Sequence, residues 1–390
     1  MKVCMVAYTY YEIDNRVRRY AETLVRRGDA VDVISLKRRS QTGYDKINGV
    51  RVYRIQSRVV NEKGKHSYLW RIAKFLVKSG AFLSWKHLQE PYHLIHVHSV
   101  PDFEVFAALI PKLKGAKIIL DIHDITPEFY CSKFRRSHRS LIYKTLVLLE
   151  KYSTLFADHI IVSNHIWHRK LVDRSVTENN STVILNYPDS SIFYRHPSHR
   201  DDGKIIMIYP GTLNWHQGLD IAIKAFDMIK EKVTEAEFHI YGDGPSKPAV
   251  TNLIKKLGLE RRVLLCEPKS LDDIAAIMSD ADIGIVPKRN DSFGGEAFST
   301  KTLEFMALGV PIIVSKTKID QYYFDDNIVK FFEPENKLDL AEAMLLLIRN
   351  KALRQELSNN ALKYVAEYTW DKKKNIYLDL IDSLVCAKKL

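Results

Sequence analysis

Apolar positions in this chain fall into two alternating patterns: short, largely apolar runs, and longer stretches with apolar residues three or four apart. The runs at 2–8, 30–36, 94–97, 116–120 and 159–162 read as buried parallel strands, and 183–185 closes this first array. Residues 14–27 have helical spacing, with Asp14 placed to cap the helix and Gly28 to end it. From Lys204 the pattern restarts, with strands expected at 205–209, 237–241, 263–265, 283–286 and 312–314. Helices are expected at 219–232, 247–257 and 271–279, with one more opening near Ser299. Two successive βα arrays predict two doubly wound, Rossmann-like α/β domains facing a cleft. The first domain is placed at 1–190, the second at 204–370 and a last helix at 371–390. The stretch 186–203, rich in Pro, Ser, His and Asp, reads as a linker.

One segment breaks the alternation. Residues 66–90 carry apolar side chains at helical spacing, interleaved with Arg71, Lys74, Lys78 and Lys86 and bracketed by Trp70 and Trp85. A basic, aromatic-rich amphipathic helix suits a membrane interface. The competing reading packs its apolar face on the sheet and leaves the basic cluster unexplained. A second basic run, 133–139, precedes the apolar stretch 141–149. Charge sharpens the picture. Residues 1–200 hold 33 Lys and Arg against 18 Asp and Glu (+15), and residues 201–390 hold 26 against 29 (−3), giving the net +12. An anionic membrane surface is the partner this favours. No nucleic acid is expected, since no helix-turn-helix, RNP-like or zinc-finger signature appears. No apolar run approaches 18 residues, and the N-terminal run reads as a strand, not a signal peptide. Four cysteines with no paired spacing suggest neither disulfides nor zinc and fit a reducing cytosol.

The densest chemistry lies in Glu296-Ala-Phe-Ser-Thr-Lys-Thr-Leu-Glu304, followed by Gly309-Val-Pro311 and an apolar strand. Ser299 or Thr300 is placed to cap a helix whose first-turn N–H groups form an anion site, and Glu304, one turn in, could accept two ribose hydroxyls. The plain alternative is a helix-dipole carboxylate and a solvated glutamate. His93, His96 and His98 form the one histidine cluster, and backbone-satisfied strand ends explain it better than a metal. Asp280 and Asp282 read as structural. The P-loop lysine, the G-x-G-x-x-G spacing and the G-x-S-x-G elbow are all missing, which speaks against NTPases, dehydrogenases and serine hydrolases.

Together these segments resemble the GT-B glycosyltransferases, and within them the large retaining family 4, also called group 1. Glu296–Glu304 with its Gly-x-Pro strand looks like that family's E-x7-E block. Supporting stretches are Tyr209-Pro-Gly211 through Gly218-Leu-Asp220, Gly242-Asp-Gly244-Pro245, Ala281 to Pro287, Ile95 to His98 and Asp121-Ile-His123-Asp124. The resemblance implies a hexosyltransferase working from a nucleotide sugar, UDP- or GDP-linked, with no further cofactor. Glu304 would hold the ribose, and Glu296 with the backbone of Ala297, Phe298 and Ser299 would hold sugar hydroxyls and the phosphate surroundings. Gly211 and Gly242 would line the nucleotide, with the base near Gly242 and 267–269, and His123 would reach the donor sugar. The last helix would cross back onto the first domain.

Two departures stand out. Thr212 and Gln217 occupy positions where the family often has Arg and Lys for the diphosphate, so Lys301 and Arg16 are expected to compensate. The glycine pair after the first strand is also missing. With the basic N-terminal half, the acceptor expected is a polyprenyl-diphosphate-linked or other lipid-linked saccharide in surface polysaccharide assembly. The enzyme would then be cytoplasmic and peripheral on the inner face of the membrane. A GT-B sugar-nucleotide epimerase and a non-catalytic membrane-binding scaffold remain as alternatives.

Overall fold

The computed structural model describes residues 1–57, 65–134, 136–196 and 200–386; the side chains of residues 65, 66 and 68 are not described. The chain divides into two compact units. Unit 1 comprises Met1–Asn186 together with the described residues from Lys374 onward, and unit 2 is Tyr187–Lys373.

Unit 1 is built on eight strands: β1 (Lys2–Ala7), β2 (Ala30–Lys37), β3 (Tyr44–Ile47), β4 (Val50–Ser57), β5 (Leu94–His98), β6 (Lys117–Ile122), β7 (His159–Val162) and β8 (Ser181–Val183). Their order is β3-β4-β2-β1-β5-β6-β7-β8, parallel except for the β3–β4 pair. Every residue of β1 and β5 is buried, as a central parallel strand covered on both faces requires. The helices are α1 (Asn15–Arg26), α2 (Lys65–Gln89), α3 (Leu109–Leu113), α4 (Thr126–Phe134), α5 (Leu141–Phe156) and α6 (His165–Val172). Asp14 caps α1, its carboxylate accepting from Val17 N at 3.1 Å.

Unit 2 has six parallel strands: β9 (Ile205–Pro210), β10 (Ala236–Tyr241), β11 (Val263–Cys266), β12 (Ile283–Val286), β13 (Ile312–Ser315) and β14 (Lys330–Phe332), in the order β11-β10-β9-β12-β13-β14. Around them lie α7 (Leu219–Ile229), α8 (Lys247–Lys256), α9 (Leu271–Ser279), α10 (Thr300–Leu308), α11 (Lys318–Tyr323), α12 (Lys337–Arg349) and α13 (Lys351–Val365). The last helix, α14 (Trp370–Cys386), starts in unit 2 and continues in unit 1, where the Tyr377 hydroxyl meets His96 Nδ1 at 2.8 Å and Asp382 pairs with Arg27.

Both sheets carry the strand order of a Rossmann-like domain. Part of the expected linker is instead folded onto unit 2. Tyr187 and Phe193 are buried, and Trp370 N donates to Pro188 O. Residues 197–199 of that stretch lie outside the described residues. Asp282 has the structural role expected of the 280–282 pair, accepting from Ile206 N at 2.8 Å and from Arg200.

Candidate active site

On unit 2, the loop after β9 and the turn after β10 meet backbone against backbone. A Cβ on Gly242 (φ 153°) would lie 1.9 Å from Gly211 O, and one on Gly211 (φ 137°) would lie 2.5 Å from Lys301 Cε. Glycine is therefore required at both positions. Gly211 N donates to Tyr241 O and Leu213 N to Asp243 O, which locks the two loops together. Of the two residues standing where basic ones were expected, Gln217 accepts from the Tyr209 hydroxyl at 3.2 Å through Oε1, whereas Thr212 is exposed and offers that hydroxyl only its backbone carbonyl, at 3.0 Å.

A cation stands beside these loops on α10. Lys301, in the first turn of that helix, brings its ammonium over the Tyr209 ring, 5.2 Å from the centroid, and against Gly211. Burial pushes its pKa down to about 8; Glu304 pulls it back up and Lys288 lowers it further. Ser299 occupies the N-cap position of α10 but makes no capping bond. Its Oγ and that of Thr302 are buried with no hydrogen-bond partner among the described residues. Two unsatisfied hydroxyls beside free helix N–H groups and a lysine form a site poised for a multi-oxygen anion. Glu304 lies one turn further along, its charge felt by Lys301.

The loop leading into α10 is tied down. Lys288, just past β12 and 3% exposed, donates to Ala297 O at 2.7 Å and pairs with Asp320 at 2.8 Å. Glu296 accepts from Lys318 at 3.1 Å, and the Phe298 ring packs edge-on against Tyr323. Sequence reasoning missed Lys288, although two adjacent basic residues directly after a wholly apolar strand were a usable signal. Its neighbour Arg289 is held by Asp220 and Glu335 and stacks over Trp215.

Unit 1 carries a second cluster at the C-terminal ends of β5 and β6. Asp121, fully buried, accepts from Arg16 Nε and Nη2 at 2.7 Å each, and His123 Nε2 lies 3.1 Å from its Oδ2. His98 Nδ1 sits 3.2 Å from His123 Nε2 and 3.3 Å from Asp121. Burial alone would raise the Asp121 pKa, but Arg16 and His123 outweigh it and hold the carboxyl well below its ordinary range. Burial keeps His96 and His98 below the usual histidine value.

The expectation for Arg16 is corrected here. It is 3% exposed, and besides Asp121 it donates to Ile184 O and Asn186 Oδ1, so its guanidinium is committed within unit 1 and leaves the diphosphate-binding set. His123 is partly exposed, and Ser163 fixes its backbone carbonyl at 2.7 Å. Donation from Nε2 to Asp121 leaves Nδ1 as an acceptor. Ligand-type atoms of His96, His98 and Asp121 lie within 4.8 Å of one another, but a cation there would share Asp121 with the Arg16 guanidinium, a poor fit for a metal.

Residues 13–187 match the family described as "Glycosyl transferase 4-like domain", and residues 191–364 match "Glycosyl transferases group 1". The chain belongs to the group 1 GT-B glycosyltransferases. It is 29% identical to one uncharacterized glycosyltransferase of Methanocaldococcus jannaschii over 60% of this chain and 62% of that relative. To a second from the same organism it is 24% identical over 95% of both. An O-antigen biosynthesis glycosyltransferase of Escherichia coli is 26% identical over 63% of this chain and 67% of its own length. Among solved structures, Anabaena HepE in complex with UDP-glucose superposes with a TM-score of 0.73 at 16% identity, covering 97% of this chain and 99% of that one.

Proposed function

We propose that this glycosyltransferase moves a hexose, with retention of configuration, from a UDP- or GDP-linked donor to a lipid-linked saccharide during surface polysaccharide assembly. The observation that carries the donor assignment is Lys301 lying against Gly211 at the N-terminus of α10, beside two unsatisfied hydroxyls and one turn before Glu304. The diphosphate takes the helix N–H groups, Ser299, Thr302 and the Lys301 ammonium. Glu304 accepts the ribose hydroxyls, and Glu296 with the Ala297–Ser299 backbone serves the sugar. On unit 1, His123 Nδ1 accepts a sugar hydroxyl. The acceptor oxygen bonds to the anomeric carbon as the bond to phosphate breaks, and the acceptor's proton passes to the departing phosphate oxygen. Side chains then only position the reactants and stabilise charge.

The Glu304→Ala variant is expected to bind its nucleoside diphosphate ten- to a hundredfold more weakly, since charge-assisted hydrogen bonds contribute roughly 1.5–3 kcal/mol each. Calorimetry against UDP, GDP and ADP identifies the base at the same time. Equal affinity in the variant removes the ribose assignment.

The membrane part of the proposal rests on unit 1. Among the described residues, thirteen of the twenty-two exposed large apolar side chains lie on α2, α3 and α5. Trp70, Val77, Trp85 and Leu88 share one stripe of α2, with Lys74 and Lys78 alongside, while Ile72, Phe75 and Leu83 face inward. On α5, Leu141, Leu148, Tyr152 and Leu155 form a similar stripe, preceded by exposed Arg136 and Arg139; Arg135 lies outside the described residues. Apolar stripes edged by cations match an anionic bilayer surface at the inner face of the cell membrane. No helix among the described residues is long and apolar enough to cross a membrane. Changing Lys78 and Lys86 to Glu is expected to weaken binding to phosphatidylglycerol vesicles at least tenfold at low salt, because each cation contributes roughly 1 kcal/mol. Unchanged sedimentation with vesicles would remove the membrane from the proposal.

A further inference from the structure

Each residue from Gly295 to Phe298, on the loop that enters α10, has its own tie. Ile319 N donates to Gly295 O at 3.0 Å, and Lys318 pairs with Glu296 at 3.1 Å. Lys288 donates to Ala297 O at 2.7 Å, and the Phe298 ring meets Tyr323 edge-on with centroids 4.9 Å apart. Ile319, Lys318 and Tyr323 all belong to α11. The remaining tie reaches α11 through Asp320, which pairs with Lys288 at 2.8 Å and accepts from the Thr317 hydroxyl through the same oxygen. Lys288 and Asp320 are both buried, and Asp320 Oδ1 has no hydrogen-bond partner among the described residues. A buried ion pair can often be exchanged for apolar residues of similar volume with no loss of stability. Stability therefore does not account for this one, and what it does to the Ala297 peptide becomes the question.

The consequence lies on the far side of that peptide. The Ala297–Phe298 bond is trans, and a planar trans peptide directs its N–H opposite to its carbonyl. Upstream, Gly295 N donates to Asp291 O, and Glu296 N and Ala297 N both donate to Phe293 O. The N–H groups of Phe298 and Ser299 have no acceptor among the described residues. Holding the Ala297 carbonyl therefore fixes the direction of the first uncommitted N–H on the loop, away from Lys288. The Lys288 charge is answered by Asp320, so its ammonium acts on the backbone and is not a further cation for the diphosphate. An uncharged N–H donor suits a sugar hydroxyl.

We propose that Lys288 is a positioning residue for the donor sugar: anchored by Asp320, it holds the Ala297 peptide so that the Phe298 N–H donates to a sugar hydroxyl. The inference rests on the reading of the Ala297–Ser299 backbone as the surface that serves the sugar. It divides the labour in the donor site, with Lys301 serving the diphosphate and the Lys288–Asp320 pair serving the sugar.

The test is calorimetry on the full chain with UDP and GDP, and with UDP-glucose, UDP-galactose, UDP-N-acetylglucosamine and GDP-mannose. Lys288→Met alone strands a buried carboxylate, so it is paired with Asp320→Leu, and the paired variant should unfold in urea near the parent's midpoint. In that variant the nucleoside diphosphate is expected to bind within about twofold of the parent. The sugar nucleotide that the parent binds most tightly is expected to bind about fivefold more weakly, the usual loss for one hydrogen bond. Equal weakening of both ligands would make the pair a structural support only, and an unweakened sugar nucleotide would leave it without a role; either result overturns the proposal. A second measurement leaves the pair intact and holds even where the paired variant does not fold. In the parent with isotope-labelled phenylalanine, the Phe298 amide resonance, assigned by its absence from Phe298→Leu, is expected to shift with the sugar nucleotide and not with the diphosphate alone. An amide that does not respond to the sugar also overturns the proposal. Nucleotide binding with no such sugar effect sinks this role alone, whereas a parent that binds no nucleotide removes the donor assignment and this role with it.

Discussion

Replacing Lys301 by alanine is expected to lower turnover about 10²- to 10³-fold, the usual loss when one preorganised stabiliser of developing charge is removed. Thr212 and Gln217 carry no charge to share the task, and Arg16 is committed to Asp121. The lysine also sets a pH dependence. Its pKa of about 8 lies below the ordinary 10.5, so the free site loses its cation as pH rises through 8. A bound diphosphate favours the charged form, so nucleotide affinity should decline above about pH 8 and stay level below it. Lys301→Arg, which keeps its charge, should bind with no such decline. A Lys301→Ala variant that turns over at the parent rate would refute the role.

Asp121→Asn should cost unit 1 about 3–5 kcal/mol, because it strands the buried Arg16 guanidinium without a counter-charge. Urea unfolding followed by fluorescence measures it. The paired change Arg16→Met with Asp121→Leu should recover much of the loss, since an apolar pair of similar volume carries no desolvation penalty. The pH dependence has a definite sign. The Asp121 carboxyl is held well below its ordinary range, so its contribution is complete above the unfolded value of about 4 and disappears as pH falls toward the folded one. The native protein should therefore lose stability more steeply in acid than the paired variant. Equal acid sensitivity would show that Asp121 is not a main site of acid unfolding.

Elements whose cause is local were legible in the sequence. Asp14 caps α1 through a contact three residues away, and β1, β9 and β12 announce themselves by apolar runs. The β3–β4 hairpin was equally local and was overlooked. Asn48 and Gly49, with φ of 49° and 85°, form its turn, and alternation along 50–57 places Val50, Val52, Arg54 and Gln56 on the buried side. The polar residues at 54 and 56 masked that period. The junction from the Glu296 loop into α10 was legible because its cause is local, the helix opening at Thr300 just after the expected cap Ser299. Arg16 was misread because its partner, Asp121, is 105 residues away, and no local pattern distinguishes an arginine that meets phosphate from one that meets a buried aspartate. Lys288 differs: the basic pair 288–289 after β12 marked it locally, and only its acceptors, Ala297 O and Asp320, are set by tertiary packing.

The course of α14 bears on the order in which the polypeptide matures on the ribosome. Unit 2 is one continuous segment, complete when residue 373 has been made, whereas unit 1 begins first and closes last. Until Tyr377 arrives, the buried faces of Tyr20 and His96 that it covers stay open, so the nascent N-terminal portion waits through the synthesis of nearly two hundred further residues for its final piece. Chaperone demand should therefore fall on the first-made part of the polypeptide, and a stop codon ahead of residue 377 should harm that part most.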